Sequence, residues 1–448
     1  MLQWQSRTIV RISLGALALL AGGAGIAQDY PHPNYAEDVA GIFQDKCQIC
    51  HQPNSVAPMA LLTYEEVQPW IPLIRMRVSA REMPPWHLNP VIGIQDYKND
   101  LSLTERQRQT ILDWVDSGAP AGPDAALPAV RSFPDPNRWQ LGDVYGREPD
   151  LIVRSAPFDL AAATQDKWFR PTVDTGLTED RWVQGMEVRP SYPLGRRAVH
   201  HVLLYQLQDR AGEPGSEETG QSAALQDQPF MEWAIGKVGD IFPAGTGKLL
   251  KAGARIGWDL HLHAIGQEIK GDTVELGVWL YPRNTQPRHP TVLRSLSALG
   301  EGGIDIRPNE TAMLQQFHVV EAPARLENFQ PHLHRVGKGM SLEVIYPDGR
   351  RELLSYVDNF QWQWNNNYIY ADDAAPLIPA GSTLVVTAWY DNTDNNPDAP
   401  DPRQWVGYGE RAVDEMGHAW VNFTYLEQDE FDRLWAERQA RKAAGATD

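Results

Sequence analysis

The residues with the most to say about chemistry are histidines in pairs. Gln330-Pro331-His332-Leu333-His334-Arg335-Val336-Gly337-Lys338 puts two imidazoles two residues apart in a segment that reads as a strand. Side chains at i and i+2 of a strand share a face, so His332 and His334 can grip one ion. Downstream, Val413-Asp414-Glu415-Met416-Gly417-His418 offers two third ligands. Met416 would make a thioether and imidazole set suited to copper, Cu(I) above all, whereas His418 would make a zinc-like set of three histidines. Upstream lie the adjacent pair His200 and His201 and the spaced pair His261 and His263. Neighbours on a regular strand point to opposite faces, so His200 and His201 can hold one ion only where the strand bulges or ends. Either His261 or His263 could complete that site, and spacing does not choose between them. Asp259 shares a face with His261 and is a candidate to orient a ligand.

Near the start stands Cys47-Gln48-Ile49-Cys50-His51, a haem-attachment signature. The two thiols bond to the haem vinyl groups and His51 takes one axial position. A zinc reading would need further cysteines, and the chain has two in all, while the histidine that follows favours haem over a redox CxxC. In Arg81-Glu82-Met83-Pro84-Pro85-Trp86-His87, Met83 before a rigid Pro-Pro resembles the methionine loop of small c-type cytochromes, which makes Met83 the expected second axial ligand. Met59 and His87 are the alternatives.

The elements that must position these residues change character along the chain. Residues 36–48 read as a helix running into the cysteine signature. Thr104 caps a second helix that passes through Ile111, Leu112, Trp114 and Val115 and stops at Gly118. A helical c-type cytochrome domain over 28–122 follows, then a linker over 123–144 that begins in the proline-, alanine- and glycine-rich stretch Ala119 to Pro136. Beyond it, short β-branched and aromatic runs alternate with turn residues: Leu151 to Val153, Val199 to Leu204, Val274 to Tyr281, Leu342 to Tyr346, Leu384 to Tyr390 and Trp420 to Tyr425. These predict two all-β sandwiches of jelly-roll type, over 145–290 and 291–428. Residues 429–448 read as a charged, solvated helix.

At 448 residues the chain needs several cores, and 42% hydrophobic residues suffice to fill them. Arg7 and Arg11, the apolar run Ile12 to Ala21 and the small residues Gly25-Ile26-Ala27 predict a signal peptide over 1–27, cleaved near Ala27, and hence a periplasmic or secreted protein. The apolar run is shorter than the ~18–20 residues a span requires, so no integral membrane span is expected in the mature chain. Loss of two arginines takes the formal charge from −18 to −20. Such a charge makes nucleic acid and anionic membranes poor partners. With both cysteines committed to haem, the exported protein is expected to be disulfide-free.

The order of His-His, then Leu-His-Leu-His, then Pro-His-Leu-His with a following Gly-Lys, then Asp-Glu-Met resembles the copper type II, ascorbate-dependent monooxygenases over roughly 145–428. Peptidylglycine α-hydroxylating and dopamine β-monooxygenases belong to that family. The resemblance implies that His200, His201 and His261 hold an electron-receiving copper. It implies that His332, His334 and Met416 hold a second, where dioxygen binds, across an open cleft from the first. Gln330 stands where the peptide-amidating members have an arginine, and Trp420 where they have a tyrosine, so a peptide ending in glycine is not the expected substrate.

Three further features invite plainer readings. Gly245-Thr246-Gly247-Lys248-Leu249 lacks the rest of a phosphate loop and reads as a turn. Asp391 to Pro397 reads as a polar Asx-turn loop. Trp362 and Trp364 read as a packed strand face. The expectation from the whole is an exported copper monooxygenase with two copper ions, one covalent haem c and a periplasmic electron donor, its substrate unspecified. The alternatives are a non-catalytic copper-binding or electron-transfer protein and a zinc hydrolase-like module.

Overall fold

The computed structural model describes residues 32–444 apart from 54, 56, 134, 136, 209–228 and 301. The expected signal peptide lies outside the described residues. Pro33–Asp448 form one contact unit, which is predominantly β.

The helical part begins where Asn34 caps Tyr35–Val39, a π-helical turn that passes into the helix Ala40–Lys46. Tyr64–Val67 and Ile71–Ser79 follow, then Glu105–Asp116, whose Thr104 and Gln107 form a reciprocal capping box. Tyr35, Phe43, Ile111 and Trp114 are buried at its centre, with Phe43 edge-on to both Tyr35 and Trp114. The chain closes this unit by hydrogen bonds from Tyr35 and Ala36 to the carbonyls of Pro120 and Ala121. The stretch expected as linker contains a helix, Gln140–Tyr145. Trp139 before it packs edge-on to Trp279, so the join is anchored to the sheet.

The first β half pairs Leu151–Arg154, Val274–Leu280, Arg181–Pro190 and Thr246–Leu250 in one sheet. A second sheet holds Lys167–Phe169, Arg255–Leu262, Val199–Leu207 and Pro229–Ala234. Alternation decides what each strand does: Val202 and Leu204 are fully buried in the core, which turns His201, Leu203 and Tyr205 to the opposite face. In the second half, Thr311–Val319, Thr383–Asp391, Gly337–Ile345 and Arg351–Val357 form one sheet. Its partner is built on Gly417–Tyr425, flanked by His289–Ser297 and by Asn328–Leu333. His289–Ser297 also runs parallel to Thr246–Leu250 at its first residues, so one sheet continues through both halves.

Several plain readings are corrected. Trp362 lies in a turn, not on a strand face, and its indole donates to Asp398. Lys248 is inside a strand, and only Gly245, with φ +77°, makes the turn. The helix Gln428–Ala443 is not simply solvated, because Phe431 and Trp435 pack with Leu377 and Leu426. The 391–397 loop does form an Asx turn, Asp391 accepting from the Thr393 amide at 2.9 Å. Among the described residues no helix is long and apolar enough to cross a membrane.

Candidate metal centres

His201 and His261 are directly opposed in the antiparallel pair Val199–Leu207 and Arg255–Leu262, but the next partner of Leu262 is Val199. His200 is therefore the extra residue of a bulge, which lets two sequence neighbours turn to one side. The Nδ1 atoms of His200 and of His261 each lie 3.3 Å from Nδ1 of His201. Ligand atoms of all three residues fall within 4.8 Å of one another. Burial lowers the pKa of each imidazole, that of His200 to about 4, and keeps them neutral, the ligating form. Three imidazole nitrogens facing one point repel unless a proton or cation lies between them, and this donor chemistry fits a copper or zinc ion.

Asp166 was not singled out by the sequence, and it lies 3.1 Å from Nε2 of His261. Its other oxygen is 2.8 Å from Nδ1 of His263, which is exposed and outside the cluster. Nε2 of His261 makes no hydrogen bond of good geometry, but the carboxylate beside it favours a proton on that nitrogen and leaves Nδ1 of His261 for an ion. The role expected of Asp259 is thus taken by Asp166. Asp259 instead pairs with Arg170 at 3.0 Å. Trp168 stacks flat on His261 with ring centres 4.5 Å apart.

The second set sits where Asn328–Leu333 ends against Gly417–Tyr425, with His332 directly opposite His418. His332 Nδ1 lies 3.1 Å from Asn365 Oδ1, and His334 Nδ1 lies 3.1 Å from the Asp414 carbonyl. Both contacts fix the protonated nitrogen and leave Nε2 for an ion. Glu415 is fully buried and accepts from the backbone N–H groups of His334, Val336 and Met416. One carboxylate thereby ties the His-x-His segment to the methionine. Tyr390 donates to the Met416 carbonyl at 3.2 Å, and a side chain at Gly417 would collide with that hydroxyl. His418 stacks on His332 at 4.8 Å. Among the described residues, however, His332, His334 and His418 do not form a three-ligand cluster, whereas His200, His201 and His261 do. Met416 lines the same cavity as His332 and His334, and the set of two imidazoles and a thioether fits copper.

The cavity, about 1140 Å³, lies between the halves and is lined by His201, His332, His334, Met416, His418 and Trp420 among others. The resemblance implied an open cleft between the two sets. Instead the His201 and His332 rings stand edge to face, 5.9 Å apart. Gln330 is buried, and its amide donates to the Asn365 carbonyl at 3.2 Å.

In the helical part, Cys47, Cys50 and His51 share one turn, the amides of Cys50 and His51 both bonding to the Cys47 carbonyl. Both thiols are free. Burial pushes the Cys47 thiol up to about 12, which disfavours a thiolate ligand. His51 Nδ1 lies 3.3 Å from the Met59 carbonyl, leaving Nε2 for an axial bond, so the donor set fits a covalent haem. Met59 packs against the helical core. Met83 is half-buried in the loop after Ile71–Ser79. His87 is buried with no hydrogen-bond partner on Nε2, and burial lowers its pKa to about 4. Its unpartnered Nε2 keeps His87 a candidate axial donor beside Met83.

No protein-family model matches the chain, and no curated protein does so. Among solved structures, N-glycanase F is similar at 9% identity over 62% of this chain and 96% of its own, with a TM-score of 0.28. A peptide-N(4)-(N-acetyl-β-D-glucosaminyl) asparagine amidase is similar at 8% identity over 61% and 96%, with a TM-score of 0.30. The major capsid protein of bacteriophage PM2 is similar at 10% identity over 62% of this chain and 99% of its own, with a TM-score of 0.29.

Proposed function

We propose that the chain is an exported copper-dependent monooxygenase that receives electrons through a fused c-type haem. The observation that carries this reading is the meeting, at one cavity, of a three-imidazole cluster that reaches its wall through His201 with His332, His334 and Met416, which line the same wall. His200, His201 and His261 would hold one copper, His332, His334 and Met416 a second, and Cys47, Cys50 and His51 the haem. Bound there, copper supplies one-electron chemistry to dioxygen, so that one oxygen atom enters a C–H bond and the other leaves as water, with two electrons and two protons consumed. The chain's own residues prepare this. Asp166 and Asn365 hold imidazole protons away from the ligating nitrogens, and Glu415 fixes the spacing of the second set. Leu203, Leu296, Phe317 and Trp420 give the cavity apolar patches beside the charged lining of Arg170, Arg294 and Glu410, which suits a substrate that carries both an apolar C–H portion and a polar group. The electron donor to the haem would be periplasmic.

Copper, zinc and haem counted on protein matured in a periplasm test the assignment, with about two coppers per haem expected. Met416→Ala should lose substrate-dependent oxygen uptake and keep the copper of the first set. A second reading, a zinc hydrolase-like module, draws on the three-imidazole cluster, which suits zinc as well. Zinc at that cluster and no redox change there would favour it.

A further inference from the structure

We infer that electrons from the helical part enter the β part at His332, through Pro85, Asn366 and Asn365, and not at the His200, His201 and His261 cluster. The inference rests on the haem and copper assignments above and adds the route between them.

The segment 84–99 leaves the helical part and lies as a strap on the second half. Its amides at Asn89, Ile94 and Lys98 bond to the carbonyls of Tyr356, Leu354 and Ile369. Every hydrogen bond identified from this strap to a sandwich goes to residues 354–372. Leu88 and Tyr97 are members of the second half's core, Tyr97 stacks on Tyr370 at 5.3 Å, and Trp86 meets Tyr368 at 4.8 Å. The strap is thus seated by buried aromatic surface, and the connection does not depend on a docking event.

Inside that seat runs a short chain of bonds. The Pro85 carbonyl accepts from the Asn366 side-chain amide at 2.5 Å. Asn366 is covalently joined to Asn365, whose Oδ1 is 3.1 Å from Nδ1 of His332. Two hydrogen bonds and one peptide segment therefore connect the Pro85 backbone to an imidazole of the second set. Pro85 lies two residues after Met83 and two before His87, so two of the three axial candidates lead to the same asparagine. From His87 there is also a parallel contact, its amide donating to the Tyr368 hydroxyl, which Asn366 reaches too. Electron tunnelling falls off faster across gaps than along bonds and hydrogen bonds, which favours this route. The first set has a different neighbourhood, built from Asp166, Trp168 and His263 of its own half. The step is a one-electron transfer: ferrous iron becomes ferric, copper(II) becomes copper(I), and no proton need cross. His201, at 5.9 Å from His332, then lets the first set be filled from the second.

The test uses the full holoprotein without oxygen, its haem reduced by a short light-driven pulse while copper is still copper(II). Haem absorbance and copper electron paramagnetic resonance are followed together, with metal content measured for each variant. In His200→Ala/His201→Ala the haem should be reoxidised by the remaining copper. In His332→Ala/His334→Ala, with the first set still loaded, it should stay reduced. Asn366→Leu should slow reoxidation several-fold with metal content and unfolding temperature unchanged. The reverse pattern in the two double variants, or an unchanged rate in Asn366→Leu, overturns the route. Protein that takes up no copper or no haem would sink the metal assignment itself, which the metal counts reveal separately.

Discussion

His201 and His332, from different halves of the chain, face each other edge to face with ring centres 5.9 Å apart. Ions held by the two sets would be close enough for their unpaired electrons to interact. Fully copper(II)-loaded protein should give a broadened or diminished resonance signal compared with the sum of the two single-set variants. Signals that simply add would show that the sets are magnetically independent.

Asp166 stands 3.1 Å from Nε2 of His261, and its loss should act on the first set alone. Asp166→Ala should weaken copper binding there by about 10–100-fold, read by competition with a chelator, with the second set unchanged. Equal weakening of both sets would mean that Asp166 supports the fold and not the ligand.

Glu415 satisfies three backbone N–H groups in a buried place. Glu415→Ala leaves all three without an acceptor, at about 1–3 kcal/mol each by the usual cost of a buried orphan. Denaturant unfolding should show a large loss for alanine and a smaller one for Glu415→Gln, which keeps one acceptor oxygen. Similar losses in both would show that the backbone hydrogen bonds are not the cause.

Glu232 gives the clearest pH dependence. Burial raises its pKa from 4.5 to about 7, against the opposing pull of Lys237. The folded chain then holds this proton more tightly than the unfolded chain. The stabilisation is complete below 4.5 and is lost as pH rises through about 7, with a slope of at most about 1.4 kcal/mol per pH unit. Buried Lys248, lowered to about 7 from 10.5, acts in the next window and in the opposite sense. Glu232→Gln should flatten the fall between pH 5 and 7, measured by unfolding at fixed temperature. An undiminished fall would assign it to other groups.

Local pattern carried much of this arrangement. The shared face of His332 and His334, the need for a bulge at His200, the cap at Thr104 and the main strands all follow from spacing and residue type. Asp166, Asn365 and Glu415 were not legible as ligand supports. Each is an ordinary polar residue outside the main helices and strands, and its meaning comes from a partner brought near by the fold. The strap is the extreme case: its start reads only as part of a methionine loop over Arg81 to His87, because Leu354, Tyr368 and Tyr370 lie so far along the chain. Local periodicity carries no record of such pairings.

His289–Ser297 hydrogen-bonds to Thr246–Leu250 of one half and to Gly417–Tyr425 of the other. Cutting the chain at 290/291, where composition alone would divide it, would leave each fragment with a raw sheet margin of unpaired amides and carbonyls. Such margins recruit other chains. Fragments made at that point should precipitate or cross-pair, and the two halves are better regarded as a single unit of inheritance and of expression.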